Sequence, residues 1–436
     1  MMRRLTEKVR RSIWVYPVLY SFLALMLAVI VILLDSKYLV DLTPYIPDIF
    51  LTSADLAKTV LTIIAGAFIT IMTFTFSTTM VVLTMYTSQF SPRVIENFLS
   101  QKSTMKSFGI FVSGFLYSII SLLFIRDILS DYKIMAGTFG VIYILAGLVN
   151  FILYINSVGT YIQAGNLIDR LYHKAQEDID AYRSEVEEYD FVDKAEVERI
   201  EPKISIRSPH NGYIQEVNYK RLFELSREHE IIMIFQKLTG QFVTDEDVVM
   251  EIYYDRNSDL YENLEKEIGD CVHIGERRTE AQDFSFSIQK IVEVALKALS
   301  PGINDPNTAI QCIRDLGLLL REAAQMRSGY LLMREDGDSL SALYREGYDL
   351  DILLRDTFRQ IIHYGQGDVF VMLAVIKAHR HILEKAHEEN REIIRGHLDH
   401  LMDLLRKSYQ ESLDMQLFDR EYAEIMGRHG LRAKKS

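Results

Sequence analysis

Residues 60–86 read VLTIIAGAFITIMTFTFSTTMVVLTMY, without one Asp, Glu, Lys, Arg or His. The hydrocarbon core of a bilayer is about 30 Å thick and takes roughly 20 apolar residues of helix to cross. Backbone groups in that core have no water to bond, so a spanning stretch of this kind must be helical. Three further charge-free runs accompany it: IWVYPVLYSFLALMLAVIVILL at 13–34, FGIFVSGFLYSIISLLFI at 108–125 and IMAGTFGVIYILAGLVNFILYI at 134–155. Four spans are predicted. The first follows Arg3, Arg4, Lys8, Arg10 and Arg11. It is too long for the apolar part of a signal peptide and no small-x-small cleavage site follows it, so it is read as a retained anchor.

Basic flanks orient the spans. Five Lys/Arg precede the first. The loop after the second carries Arg93, Lys102 and Lys106, whereas Lys37 and Lys58 after the first are diluted by four aspartates. Both termini are thereby placed in the cytoplasm, together with everything beyond about residue 157. Residues 1–156 hold 12 Lys+Arg and 8 Asp+Glu, a net charge of +4, while the whole chain is −12. The remaining acidic two thirds argue against nucleic acid as a partner. The two cysteines, Cys271 and Cys312, form no disulfide framework and fit a reducing compartment.

The 60–86 span differs from the others by a polar stripe. Thr59, Thr62, Gly66, Thr70, Thr73, Ser77, Thr84 and Ser88 recur at spacings of three, four or seven, with Met80 as the one interruption. That spacing places them on one helical face. Two readings stand side by side. Small and hydroxyl residues let helices pack closely, with Gly109, Ser113, Gly114 and Ser118 of the third span as partners. Alternatively Thr62, Gly66, Thr70, Thr73, Ser77 and Thr84 line a hydrated path, which needs several copies of the chain around an axis. With no ionisable residue inside any span, a proton relay or a carrier with a midplane carboxylate is disfavoured. The span runs into SQFSPR, where Pro92 disfavours helix at Ser91; Gln89 and Arg93 are the candidate membrane-interface residues.

The remainder divides by texture. Residues 1–157 are the transmembrane domain and 158–200 a charged helical connector. Short β-branched and aromatic runs from 201 to 256 (ISIRS, GYIQEVN, EIIMIFQ, GQFVT, DVVMEIYY) read as a small β-barrel-like domain resembling a barrel sandwich. Residues 257–436 read as a helical domain. The fold class is membrane α + β. The histidines His379, His381, His387, His397 and His400 lack metal-ligand spacing and read as a solvated helix face. No phosphate loop, nucleophile elbow, CxxC or HExxH occurs, so no cofactor, metal or catalytic residue is assigned.

Between two helical runs lies SPGINDP, Ser300–Pro306. Pro301–Gly302 suits a type II turn with Gly302 at positive φ. Asp305 suits an N-cap with Pro306 at the first helical position. Upstream, Thr279 with Gln282 fits a capping box, or Asp283 caps the following helix instead. Arg277, Arg278, Thr279, Gln282, Asp283, Asn304 and Asp305 make a candidate polar cluster, if either arginine reaches Asp305.

The runs RTEAQD (278–283), ALKALSPGINDPNTA (295–309) and SQFSPR (88–93), the last directly after a threonine-rich span, resemble the domain-of-unknown-function family numbered 2254, a group of bacterial predicted membrane proteins. The resemblance covers nearly the whole chain. It departs from the family pattern at Asn307, usually apolar, and in FSFSIQ, usually with a glycine. It implies a multi-pass inner-membrane protein with a cytoplasmic region and no particular activity. Three functions remain open. One is a homo-oligomeric channel or passive transporter for an ion or small solute, with an assembling or gating cytoplasmic region. Another is a membrane-anchored sensor or scaffold that binds a partner or small ligand. The third is a lipid-modifying enzyme built on Arg277, Arg278, Asp283 and Asp305, against which stands the absence of a nucleophile–base pair. The lipid bilayer is a partner in all three.

Overall fold

The computed structural model describes residues 15–36, 45–89, 102–125, 133–161, 163–201, 204–254, 261–335, 341–409 and 412–430. The chain divides into two compact units, Met1–Asn166 and Leu167–Ser436.

The first unit contains α1 (Val15–Asp35), β1 (Thr52–Ser53), α2 (Ala54–Gln89), α3 (Lys102–Phe124), β2 (Lys133–Ile134) and α4 (Ala136–Tyr161). Its four helices are long and apolar enough to cross a membrane. Their buried sides are built from small residues and aromatic rings. Ala57, Leu61, Ile64 and Phe68 of α2 face inward, and Phe68 is wholly buried. The Phe68 ring fills the space left by Gly114 on α3, where a Cβ would lie 2.4 Å from the ring. Two tyrosine hydroxyls inside the bundle find partners across helices: Tyr117 donates to the Ala136 carbonyl of α4 (3.0 Å), and Tyr154 donates to that of Thr75 on α2 (3.0 Å). Without such partners each would be a costly polar group in an apolar interior.

One end of this unit is tied down by a carboxylate. Asp35, the last residue of α1, accepts from the N–H groups of Met135 (2.8 Å) and Ala136 (3.0 Å). It supplies from another helix the capping oxygen that α4 lacks locally. Beside it β1 and β2 pair antiparallel, Thr52 with Ile134 and Ser53 with Lys133, and Lys133 bonds Asp48 at 2.7 Å.

The boundary falls in the first turn of α5 (Ala164–Val186), which the second unit continues with β3 (Asp190–Val192) and α6 (Lys194–Val197). There follow β4 (Ile204–Arg207), β5 (Gly212–Val217), α7 (Tyr219–Glu228), β6 (Ile232–Phe235), β7 (Phe242–Val243), β8 (Val248–Tyr253), α8 (Tyr261–Cys271) and β9 (Val272–Gly275). Next come α9 (Phe284–Leu299), α10 (Pro306–Ala323), β10 (Tyr330–Met333) and β11 (Ala342–Glu346). Four helices close the unit: α11 (Leu350–Gly365), α12 (Val369–Lys385), α13 (Glu388–Ser408) and α14 (Ser412–His429). Aspartate starts many of them. Asp283, Asp305, Asp349 and Asp368 each accept a backbone N–H of the first turn of α9, α10, α11 and α12, as short acceptor side chains do at N-caps.

The strands do not form the barrel-like domain expected from residues 201–256. A six-stranded sheet runs in the order β3-β10-β11-β6-β8-β4, and β5 joins a separate three-stranded sheet, β7-β5-β9. Only β11 and β6 pair parallel in the larger sheet. Its strands thus come from as far apart as residues 190 and 346. The β-branched runs were legible as strands, but local composition says nothing about which strand pairs with which. Met233, Phe235, Met250 and Leu343 of the larger sheet share a buried cluster with Ile214, Val217 and Ile274 of the smaller.

If Phe68 depends on the gap at Gly114, then Gly114→Val should destabilise the chain by about 1–3 kcal/mol, the usual cost of overpacking. Gly66→Val, at a position where a Cβ meets nothing within 4 Å of this chain, should not show that loss within one copy. Denaturation midpoints of the two variants in detergent check this.

Candidate functional site

The polar stripe lies on the outside of the first unit. Thr62, Gly66, Thr70, Thr73, Ser77 and Thr84 are all exposed, flanked by the exposed Ile63, Phe74, Phe76 and Val81. Four of the threonine hydroxyls donate to the carbonyl four residues back: Thr62 to Lys58 (2.8 Å), Thr70 to Gly66 (3.0 Å), Thr73 to Ile69 (2.9 Å) and Thr84 to Met80 (2.9 Å). Within this chain the stripe does not pack against α3. Gly109 abuts Tyr16 and Tyr20 of α1, and Gly114 receives Phe68. Ser113 lies 2.7 Å from the Tyr143 hydroxyl of α4, and Ser118 bonds back to Gly114. The α2 hydroxyls that do face inward are Thr75 and Thr79, which spacing alone had not singled out. Gln89 is the last residue of α2; Arg93 lies outside the described residues.

The motif cluster separates into two sites. At the first, Asp283 is buried with its carboxylate shielded from solvent. Arg278 reaches it with Nε (2.7 Å) and Nη2 (3.2 Å). Ser285 Oγ (2.7 Å), the Phe286 N–H (3.1 Å) and the Tyr348 hydroxyl (3.0 Å) complete its acceptor capacity. Arg278 also bonds Gln289 (2.8 Å) and Ser285 (2.7 Å) and lies over the Phe286 ring. Burial and the adjacent carboxylate push the Tyr348 phenol well above its ordinary pKa, so it stays a donor. Gly240, at φ +87, makes room for the ion pair: a Cβ there would lie 1.8 Å from Asp283 Oδ2.

Asp283, not Thr279, is therefore the cap of α9. Thr279 makes no capping box, and its buried Oγ1 has no hydrogen-bond partner among the described residues. Gln282 sits at φ 57 and pairs by its amide with Val217 of β5, accepting from its N–H (2.9 Å) and donating to its carbonyl (3.2 Å). The Arg277 carbonyl accepts from Gln215 (2.6 Å).

The second site is the SPGINDP corner. Asp305 caps α10, accepting from the Thr308 N–H (3.1 Å) and hydroxyl (2.6 Å), and those bonds hold its pKa below the ordinary range. Pro306 occupies the first helical position. The turn itself differs from the type II expectation. Gly302 is not at positive φ; Asn304 is, at φ 50. The Ser300 carbonyl accepts from Ile303 (3.0 Å) and Asn304 (2.9 Å), an extended helical turn that ends on a left-handed residue. Asparagine tolerates that region better than most side chains, which accounts for the residue. Arg278 is committed to Asp283 rather than to Asp305.

Tyr348, absent from the sequence-derived set, completes a cleft of about 460 Å³ between α9, α11 and the 238–241 loop. The cleft holds Arg278 and Gln289 on one side and Arg355 and Arg359 on the other. No local motif joins these positions, which converge only through tertiary packing. The histidines do not make one solvated face. His379 is buried, and its Nδ1–H donates to the Val375 carbonyl (2.8 Å). His397 pairs with Asp351 at 2.7 Å. Among the described residues no group of three or more metal-ligating side chains converges.

Two stability measurements test this geometry. Asp283→Ala strands Arg278 and should cost about 3 kcal/mol, the scale for breaking a largely buried pair. Thr279→Val should not destabilise the chain, since no hydrogen bond is lost and a buried hydroxyl without a partner is removed. The second measurement is an acid titration. Burial lowers the His379 pKa to about 4, against roughly 6.5 when unfolded. Between those values the unfolded chain binds more protons, so stability is full above pH 6.5 and falls as pH drops through this window. His379→Phe should remove about 2 kcal/mol of the stability lost between about pH 7 and pH 5.

Comparison with known proteins places this arrangement. Uncharacterized proteins of Mycobacterium bovis and Mycobacterium tuberculosis are each 26% identical to the chain over 269 residues, 60% of its length and 51% of theirs. The chain thus spans about half the length of these relatives. No solved structure matches it. The family model described as "Predicted membrane protein (DUF2254)" matches residues 10–381, with the four apolar helices and both motif sites inside the match. The chain belongs to that family of membrane proteins.

Proposed function

We propose that this chain is a multi-pass inner-membrane protein, both termini cytoplasmic, that assembles into a homo-oligomer around a path for small ions lined by α2. The observation that carries the reading is the outward hydroxyl face of α2. Lipid tails offer nothing to a hydroxyl, and helices in membranes associate through such small and polar faces. Another copy is the occupant that matches a face of Thr62, Gly66, Thr70, Thr73 and Ser77. Donation of the hydroxyl hydrogens to the preceding turn leaves oxygen lone pairs directed away from the helix. A ring of such oxygens suits cations in place of water. The basic flanks support the orientation, and the second unit would then assemble or gate the path from the cytoplasmic side.

Two experiments on the full chain separate assembly from conduction. Cys271 and Cys312 are buried, so an introduced surface cysteine reports its own surroundings. Thr73→Cys is expected to oxidise to a linked dimer in membranes, and Ile152→Cys, exposed on α4, is not. In reconstituted vesicles Thr70→Leu and Thr73→Leu should lower cation flux about tenfold, the effect of roughly 1.4 kcal/mol on a barrier, with assembly retained. Absence of flux from the unaltered protein under every cation gradient would sink the conduction half of the reading and leave the assembly half to the cross-link.

A further inference from the structure

The structure assigns a second site: the cleft between α9 and α11 binds a small organic molecule that carries one oxyanion group, carboxylate or phosphate, on an apolar body. This stands whether or not α2 lines a path. Its volume of about 460 Å³ falls within the roughly 300–1,000 Å³ of ordinary ligand sites. The floor is apolar, with Ile288 and Val292 of α9 buried beneath it, and Ile352 of α11 exposed at its edge. Such a floor is matched by hydrocarbon or a ring, not by a free inorganic ion.

Charge at the rim selects the head group. The arginines are the cations of the lining, and two of the three are neutralised already. Arg278 is held by Asp283 (2.7 Å) and Arg355 by Asp351 (3.1 Å). Arg359 is exposed and has no hydrogen bond or ion pair among the described residues. Of the lining carboxylates, Asp349 is occupied in capping α11, while Asp356 adds a negative charge at the rim. One unpaired guanidinium beside fixed polar groups favours a planar or tetrahedral oxyanion, which it can bind through two N–H groups. Asp356 opposes that binding and limits the charge that the site accepts.

The floor also has a rigid support. Tyr348 lines the cleft with its hydroxyl fixed on Asp283 (3.0 Å), and its ring meets Phe284 (4.2 Å) and Tyr182 of α5 (5.1 Å). Preformed walls of this kind lower the ordering cost of binding.

The test uses the full chain in lipid nanodiscs with benzoate, phenyl phosphate and the neutral benzyl alcohol, followed by ligand-detected magnetic resonance. Probes of this size should bind with dissociation constants on the order of millimolar. Both anions should bind more tightly than the alcohol. Which of the two binds more tightly identifies the head group. Arg359→Gln should weaken the anions about tenfold or more, Asp356→Asn should strengthen them, and Ile352→Trp should block all three by filling the cleft. All three substitutions are at exposed positions, so the fold is retained. Binding that is equal for the anions and the alcohol, unchanged in Arg359→Gln and Ile352→Trp, or absent for both anions, overturns the proposal.

Discussion

The second unit is organised about one buried carboxylate. A charge with no solvent access is tolerated only if hydrogen bonds and a counter-ion replace its water. Asp283 receives all of these from different parts of the chain: the guanidinium of Arg278 before α9, the N–H of Phe286 within it, and the phenol of Tyr348 from beyond β11. The demand of that one group sets several positions at once. Residue 240 must be glycine for the ion pair to fit. Residue 282 must enter the left-handed region to bring residue 283 to its place, and its amide pairing with Val217 of β5 offsets that strain. Tyr348 must hold its ring against Phe284 and Tyr182. The α9 start, the small sheet, the β11–α11 connection and α5 therefore meet at one point.

In the first unit the constraint is the opposite one, an environment that satisfies no polar group at all. The inward Thr79 hydroxyl lies 2.7 Å from that of Tyr154 on α4. Outward ones bond to their own backbone, which makes a threonine tolerable in hydrocarbon. Tolerance alone does not account for their alignment. Threonines scattered around α2 would be satisfied equally well by the same i−4 carbonyls. The outward threonines share their face with Gly66, where a Cβ would meet nothing within 4 Å.

Legibility followed the range of the interactions. The four apolar helices could be read because hydrocarbon selects on composition over a length of about 20 residues. The α9–α10 corner could be read as stop, turn and start because Pro306 and Asp305 act within one turn. Even there the left-handed residue was placed at Gly302 when it is Asn304, since both residues tolerate positive φ and only the path of the chain decides between them. Neither the sheet nor the cleft was legible. YLLM at 330–333 is a brief apolar run without alternation, ALYRE at 342–346 ends in two charges, and the DFV of β3 lies in what reads as a charged connector. Their pairing is a property of residues some 140 positions apart, and a hydrophobic pattern carries no address.

That distant pairing also decides what the segment after α4 is. Read by composition, residues 164–186 are a charged helix leaving a membrane. In the fold, Asp178 accepts from Ser287 of α9 (2.6 Å), and Glu185 pairs with Arg345, a guanidinium buried in β11 and lying 4.3 Å from the Tyr219 ring. Tyr182 contributes to the aromatic cluster over Asp283. After α5, β3 forms the edge of the six-stranded sheet by pairing with β10. A helix that only linked two regions would leave its charges to solvent. This one commits a carboxylate to the buried Arg345, and breaking such a pair is costly. From Leu167 on, α5 therefore belongs to the unit that carries the cleft, and its Tyr182 packs on the Tyr348 ring that lines it.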